Sequence, residues 1–98
     1  MRLRLTVEAE EDLISIYVYG ASIFGTKQAE HYYAELQAKL ELIAQRPLIA
    51  REHKEFRPPV RIHPHRSHLI IYTAGDEGVL VVRVLGNQQD WTRLFSDL

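Results

Sequence analysis

The chain contains no cysteine. That excludes a disulfide framework and any zinc site built on thiolates. It has no apolar run near the ~20 residues that a membrane-spanning helix needs. Its opening residues, Met1 to Glu8, alternate charged and apolar groups. They lack the continuous apolar segment of a secretory signal, so the expected location is cytoplasmic, with no membrane partner. Charge of one sign is also scarce. The formal net charge is −1, which argues against a nonspecific binder of nucleic acid. No internal repeat or low-complexity segment occurs.

What is present fits one small domain. The chain has 98 residues, of which 46% are hydrophobic and 26% charged. A domain of this size buries roughly 60–65% of its unfolded surface, enough for one modest core. The charge is unevenly spread. Residues 1–50 hold five Lys or Arg against seven Asp or Glu, whereas residues 51–68 hold five against two, with four of the five histidines. A local basic face on a near-neutral domain suits a specific acidic partner better than a bulk polyanion.

The stretch from Arg66 to Leu85 organises the rest. Two runs rich in β-branched residues flank Gly75-Asp76-Glu77-Gly78, which predicts a hairpin with a loop slightly longer than the tightest type. Alternation in the second run places Leu80, Val82 and Val84 on one face, toward the helices. Val79, Val81, Arg83 and Leu85 fall on the other. Arg83 is the exception in an apolar strand, and a charge there needs a partner or an open cleft.

Upstream, Arg2 to Thr6 alternates as a short strand near an edge. Thr6 is a candidate N-cap, followed by Glu8, Glu10, Glu11 and Asp12, whose charges complement the positive end of a helix dipole. Ala9, Leu13, Ile16, Tyr17, Gly20 and Phe24 recur at helical steps. Gly25 stops that helix and Thr26 is read as the cap of the next. The second helix carries Ala29, Tyr32 or Tyr33, Leu36, Leu40 and Ile43 toward the core and ends before Pro47. Two helices joined by so short a link must lie antiparallel. Residues 47–60 read as irregular because of their prolines, and Val60 to His63 as a short strand. After Gly86-Asn87, Asp90 is a candidate cap for a last short helix with Trp91, Leu94 and Phe95 on one side. The expected class is therefore α+β: an N-terminal strand, an antiparallel helical hairpin, a three-stranded antiparallel meander and a short C-terminal helix.

These segments, in this order, resemble the ParE branch of the RelE/ParE toxins of type II toxin–antitoxin modules. The resemblance runs through Ala9-Glu10-Glu11-Asp12-Leu13-Ile14-Ser15-Ile16-Tyr17 and Phe24-Gly25-Thr26-Lys27-Gln28-Ala29-Glu30-His31-Tyr32-Tyr33. It continues in Leu42-Ile43-Ala44-Gln45-Arg46-Pro47, Phe56-Arg57-Pro58-Pro59-Val60-Arg61, His68-Leu69-Ile70-Ile71-Tyr72 and Val81-Val82-Arg83-Val84-Leu85. It implies inhibition of DNA gyrase by binding, arrest of replication, and neutralisation by a ParD-like antitoxin in a hetero-oligomer. No cofactor and no sequence-specific nucleic-acid contact are implied. One departure stands out: many relatives carry a histidine after the Arg-Val-Leu strand, where this chain has Gly86. The messenger-cleaving relatives use Lys, Arg and often Tyr or His as acid, base and phosphate clamp. Beyond Leu85 this chain has no His, Tyr or Lys. A ribosome-dependent endonuclease is thus the alternative, and an inactive antitoxin-binding module the third reading.

The candidate partner-binding residues are Arg57, Arg61, Arg66 and Arg83, with Trp91 and Phe95. For Arg57, Arg61 and Arg66 the plainer reading is a solvated charged edge. For Arg83 it is an internal pair with Glu77 or Asp90, and for Trp91 and Phe95 packing of the last helix. Of His63, His65 and His68, the first two share a face of an extended strand and start a metal set only if a third ligand comes from elsewhere; surface or hydrogen-bonded histidines are the expected outcome. No catalytic residue is expected.

Overall fold

The computed structural model describes residues 2–86. Seven elements follow in order: β1 (Leu3–Leu5), α1 (Val7–Phe24), α2 (Thr26–Gln45), β2 (Glu52–His53), β3 (Val60–His65), β4 (His68–Gly75) and β5 (Gly78–Gly86). The strands form one five-stranded sheet in the order β1-β5-β4-β3-β2. β1 is parallel to β5, and every other pairing is antiparallel. The α+β class, the helical hairpin, the edge strand and the β3–β4–β5 meander all match the sequence expectation. β2, a two-residue strand inside the segment read as irregular, does not. The predicted last helix, with Asp90, Trp91 and Phe95, lies outside the described residues.

Local chemistry explains most boundaries. Thr6 caps α1: its Oγ1 accepts from Ala9 N at 3.0 Å, satisfying one of the first-turn donors that a helix leaves open. The same hydroxyl donates to Val82 O at 2.7 Å, and Thr6 N donates to Val81 O at 3.0 Å. One threonine thus starts the helix and fastens it to β5. Gly25, at φ 91°, is both the C-cap of α1 and the N-cap of α2. Thr26 is therefore the first residue of α2 and not its cap, because the left-handed turn that only glycine adopts freely has to fall between the helices. The hairpin loop is shorter than predicted: Gly75 and Gly78 pair across it, leaving two residues, Asp76 and Glu77. Gly78 has φ 114°, and a Cβ there would collide with the Arg2 carbonyl, whose oxygen accepts from Val79 N at 2.8 Å. The tight turn and the docking of the chain's start against β5 both need this glycine.

The main correction concerns β5. Opposite it, Ile71 pairs with Arg83 and Tyr72 with Val81, so Val82 is an extra residue in a β-bulge. A bulge shifts the alternation by one. Val79 and Val81 before it and Val84 after it all join the core beneath the helices, with Leu13, Leu36, Leu40, Ile43, Ile70 and Tyr72. Leu80 and Val82, expected toward the helices, are only half-buried. Leu85 packs with Val60 and Ile71 in a smaller cluster on the other side of the sheet, flanked by Phe56 and Ile62. Strict alternation cannot reveal the bulge, since the residues on both sides of it, Arg83 apart, are apolar and read the same with or without one.

Tyr72 is the largest fully buried side chain among the described residues. Its hydroxyl donates to Pro47 O at 2.8 Å and accepts from Ala50 N at 3.4 Å. Arg61 donates to Ala50 O at 2.6 Å. Together they hold the irregular segment after α2 against the sheet.

Candidate functional site

β1 covers only residues 79–81 of β5. Beyond Val81 the strand has no paired strand on that side among the described residues, and unpaired edge groups must find partners. Side chains of α1 supply them. Thr6 takes Val82 O, as above, and Asp12 Oδ2 accepts from Val84 N at 2.9 Å. Asp12 also binds Arg83 in a two-pronged pair, with Nε to Oδ2 at 2.8 Å and Nη2 to Oδ1 at 3.0 Å. Arg83 leaves β5 in register with Ile71, and its guanidinium still reaches α1. The Arg83 pKa is raised, first by its bond to Asp12, with Glu8 and Glu11 adding to it and burial opposing. Arg83 thus has an internal partner among the described residues, Asp12 rather than Glu77; Asp90 lies outside them. Asp12 was read only as a dipole-complementing charge; nothing local marks a partner 71 residues away.

A second ionic group lies on α2 and the β3–β4 turn. Arg66 sits at φ 54°, a left-handed position in that turn. It grips Glu35 through Nε at 2.8 Å and Nη2 at 3.1 Å. His31 and His65 approach the same carboxylate at 3.4 and 3.6 Å. The bond from Arg66 is the main reason that the Glu35 pKa is lowered, against a smaller opposing effect of burial. Burial is also the main reason that the His65 and His68 pKa values fall below 6.5, with Lys39 adding to the first and His65 to the second. His65 Nε2 is buried without a hydrogen bond. Tyr32 stands between the two rings, its hydroxyl 2.6 Å from His68 Nδ1.

Both ionic groups line one open groove of about 890 Å³. α1 contributes Asp12, Ile16 and Tyr19; α2 contributes Tyr32 and Glu35; β5 contributes Arg83 and the run to Gly86. The structure therefore brings Arg66 and Arg83 together with a mixed apolar and ionic lining. It does not bring Arg57 and Arg61 there. Arg61 is half-buried and engaged with Ala50 O, which removes it from a free basic edge. Arg57 is exposed in the segment before β3. Trp91 and Phe95 lie outside the described residues. Tyr32, Glu35, His65 and His68 were not picked out as a group, since their meeting depends on α2 crossing the β3–β4 turn. Among the described residues no group of three or more His, Cys, Asp or Glu is placed to hold a metal ion. Nor is any helix there long and apolar enough to cross a membrane.

Comparison with known proteins places this fold. The family described as the ParE toxin of the type II toxin–antitoxin system parDE matches residues 3–91. The chain belongs to the ParE toxin family. Toxin ParE1 of Caulobacter vibrioides is 35% identical over 82 residues, covering 84% of each chain. Toxin ParE1 of Mycobacterium tuberculosis H37Rv is 36% identical over 93 residues, covering 94% of this chain and 95% of its own. A structure titled as the chromosomal ParDE system of P. aeruginosa superposes with a TM-score of 0.76 over 88% of this chain and 95% of its own. At 17% identity, that similarity speaks for the fold of this ParE member alone.

Proposed function

We propose that this ParE-family chain is a cytoplasmic toxin that inhibits DNA gyrase by binding, and that a ParD-like antitoxin neutralises it by laying an apolar, acidic segment into the groove. The observation that carries this reading is the state of the groove's charges. Its arginines are already paired, Arg83 with Asp12 and Arg66 with Glu35. A groove of closed ion pairs beside Ile16, Tyr19 and Tyr32 suits a peptide with apolar anchors and peripheral carboxylates. An acidic segment, disordered before it binds, would order itself on such a surface.

One observation favours the endonuclease reading: the groove gathers His31, Tyr32, Arg66, His68 and Arg83. Those are residue types that RNA cleavage uses as acid, base and phosphate clamp. Their arrangement weighs against it. Asp12 and Glu35 already occupy the guanidinium groups that a phosphate clamp in the centre of the groove would need. Gyrase supercoiling and cleavage of ribosome-bound message, assayed in parallel on the purified chain, separate the two. Loss of supercoiling with intact message is the expected result. Codon-phased cuts with normal supercoiling would reverse the assignment.

A further inference from the structure

Six large apolar residues of α1 are exposed, and three of them share one face. Val7, Ile14 and Val18 are 66%, 63% and 59% exposed. They stand seven and four residues apart, which sets them in one stripe about three turns long. The core stripe of the same helix, Ala9, Leu13 and Ile16, lies on the opposite side. Beside Ile14, Tyr17 and Tyr33 meet edge to face with centroids 6.2 Å apart and frame a shallow depression between the helices. Isolated exposed apolar residues are ordinary, but three on one helix face, with Glu11 set among them, mark a contact surface.

The rim of the stripe has one sign. Glu10 and Glu11 are exposed and stand three and four residues from Val7 and four and three from Ile14, so they border it directly. α1 holds four carboxylates and no Lys or Arg. Glu30, also exposed, borders Tyr33 from α2 in the same way. Two copies of this chain packed through the stripe would bring acidic rims together with no base on α1 to answer them. An anionic membrane would be repelled.

We infer that the outer face of α1 is a second docking surface, and that its occupant is an amphipathic protein helix with Lys or Arg beside its apolar stripe. Val7, Ile14 and Val18 take the apolar side chains, and Glu10 and Glu11 take the bases. The groove draws on the other flank of α1, through Asp12, Ile16 and Tyr19. The two surfaces are separate and can be filled at once, and this inference does not depend on the proposed gyrase target.

The test uses the full chain and a labelled synthetic peptide of about four helical turns, with leucines at helical spacing flanked by lysines. Fluorescence anisotropy at low salt should show binding. The same peptide with glutamates in place of the lysines should bind at least about tenfold more weakly. Ile14→Lys combined with Val18→Lys should weaken the basic peptide at least about tenfold, without lowering the melting temperature, because both positions are exposed. Glu10→Gln combined with Glu11→Gln should flatten the salt dependence and leave the fold intact, giving a second reading that does not touch the apolar stripe. Equal binding of the acidic peptide, or unchanged binding by both variants, overturns the inference. So does a wild-type dimer that Ile14→Lys and Val18→Lys dissociate, which would make the occupant a second copy. A shifted emission of Trp91, the single tryptophan, in the peptide-free lysine variant would assign the stripe to the chain's own C-terminal segment and overturn it equally.

Discussion

Replacing Asp12 by Ala should be among the most damaging single changes at the groove. The carboxylate accepts three hydrogen bonds: two from Arg83 at 2.8 and 3.0 Å and one from Val84 N at 2.9 Å. Its side chain is 15% exposed and that of Arg83 is 30% exposed. A fully buried pair that loses one member costs about 3–5 kcal/mol, and a solvated one about 0–1 kcal/mol. This pair lies between those limits. The stranded Val84 N–H adds an unmet backbone donor, worth about 1 kcal/mol or more. The sum for Asp12→Ala is about 2–3 kcal/mol. Arg83→Ala leaves Asp12 with Val84 N and partial access to water, and should cost about 1–2 kcal/mol. For a domain of this size each kcal/mol moves the melting temperature by about 4–8 °C. Thermal melts followed by circular dichroism should place Asp12→Ala about 8–24 °C below wild type, with Arg83→Ala between. The double variant should resemble Asp12→Ala, since the pair acts as a unit. An Asp12→Ala melt within about 2 °C of wild type would refute the view that this side chain completes the open edge of β5.

Other expectations follow from the same contacts. Val81→Asp should unfold the domain, whereas Val82→Asp, at the half-buried bulge, should be tolerated far better; equal melting temperatures would put the bulge elsewhere. Tyr72→Phe should cost about 1–3 kcal/mol in denaturant titrations, by leaving Pro47 O and Ala50 N unmet, and no change would mean that water replaces the hydroxyl. Acid should destabilise in two steps. The His65 and His68 pKa values are lowered from 6.5, so the unfolded chain binds more protons and stability is lost as pH falls below about 6.5. The Glu35 pKa is lowered from 4.5, so a further loss sets in below about 4.5. His65→Gln with His68→Gln should abolish the first step in melts taken across pH, and its persistence would assign that step to other groups.

The legible part of the fold was local. Thr6 as a cap, Gly25 as a break and the edge position of β1 rest on interactions a few residues apart or on simple alternation. The hairpin and the two helices rest on periodicity, and they held. What was hidden rests on contacts between distant segments. The bulge at Val82 cannot be read from a strand that is apolar on both faces but for Arg83. The choice of Asp12 for Arg83 follows from β1 ending at Leu5, which leaves β5 open where α1 passes. The Glu35 cluster follows from the crossing of α2 over the β3–β4 turn, and Arg61 was expected in a partner-binding basic patch because its carbonyl partner at Ala50 carries no sequence signature. The exposed stripe of Val7, Ile14 and Val18 was passed over because α1 is apolar on two sides, and the eye follows the one that continues into the core.

The most direct measurement of the central claim is a titration of purified chain into gyrase acting on relaxed plasmid with ATP, beside the same titration into translating ribosomes. Action by binding predicts that supercoiling falls as the chain approaches the gyrase concentration and that message stays whole. Undiminished supercoiling at a large excess of chain, with message cut on the ribosome, would contradict it.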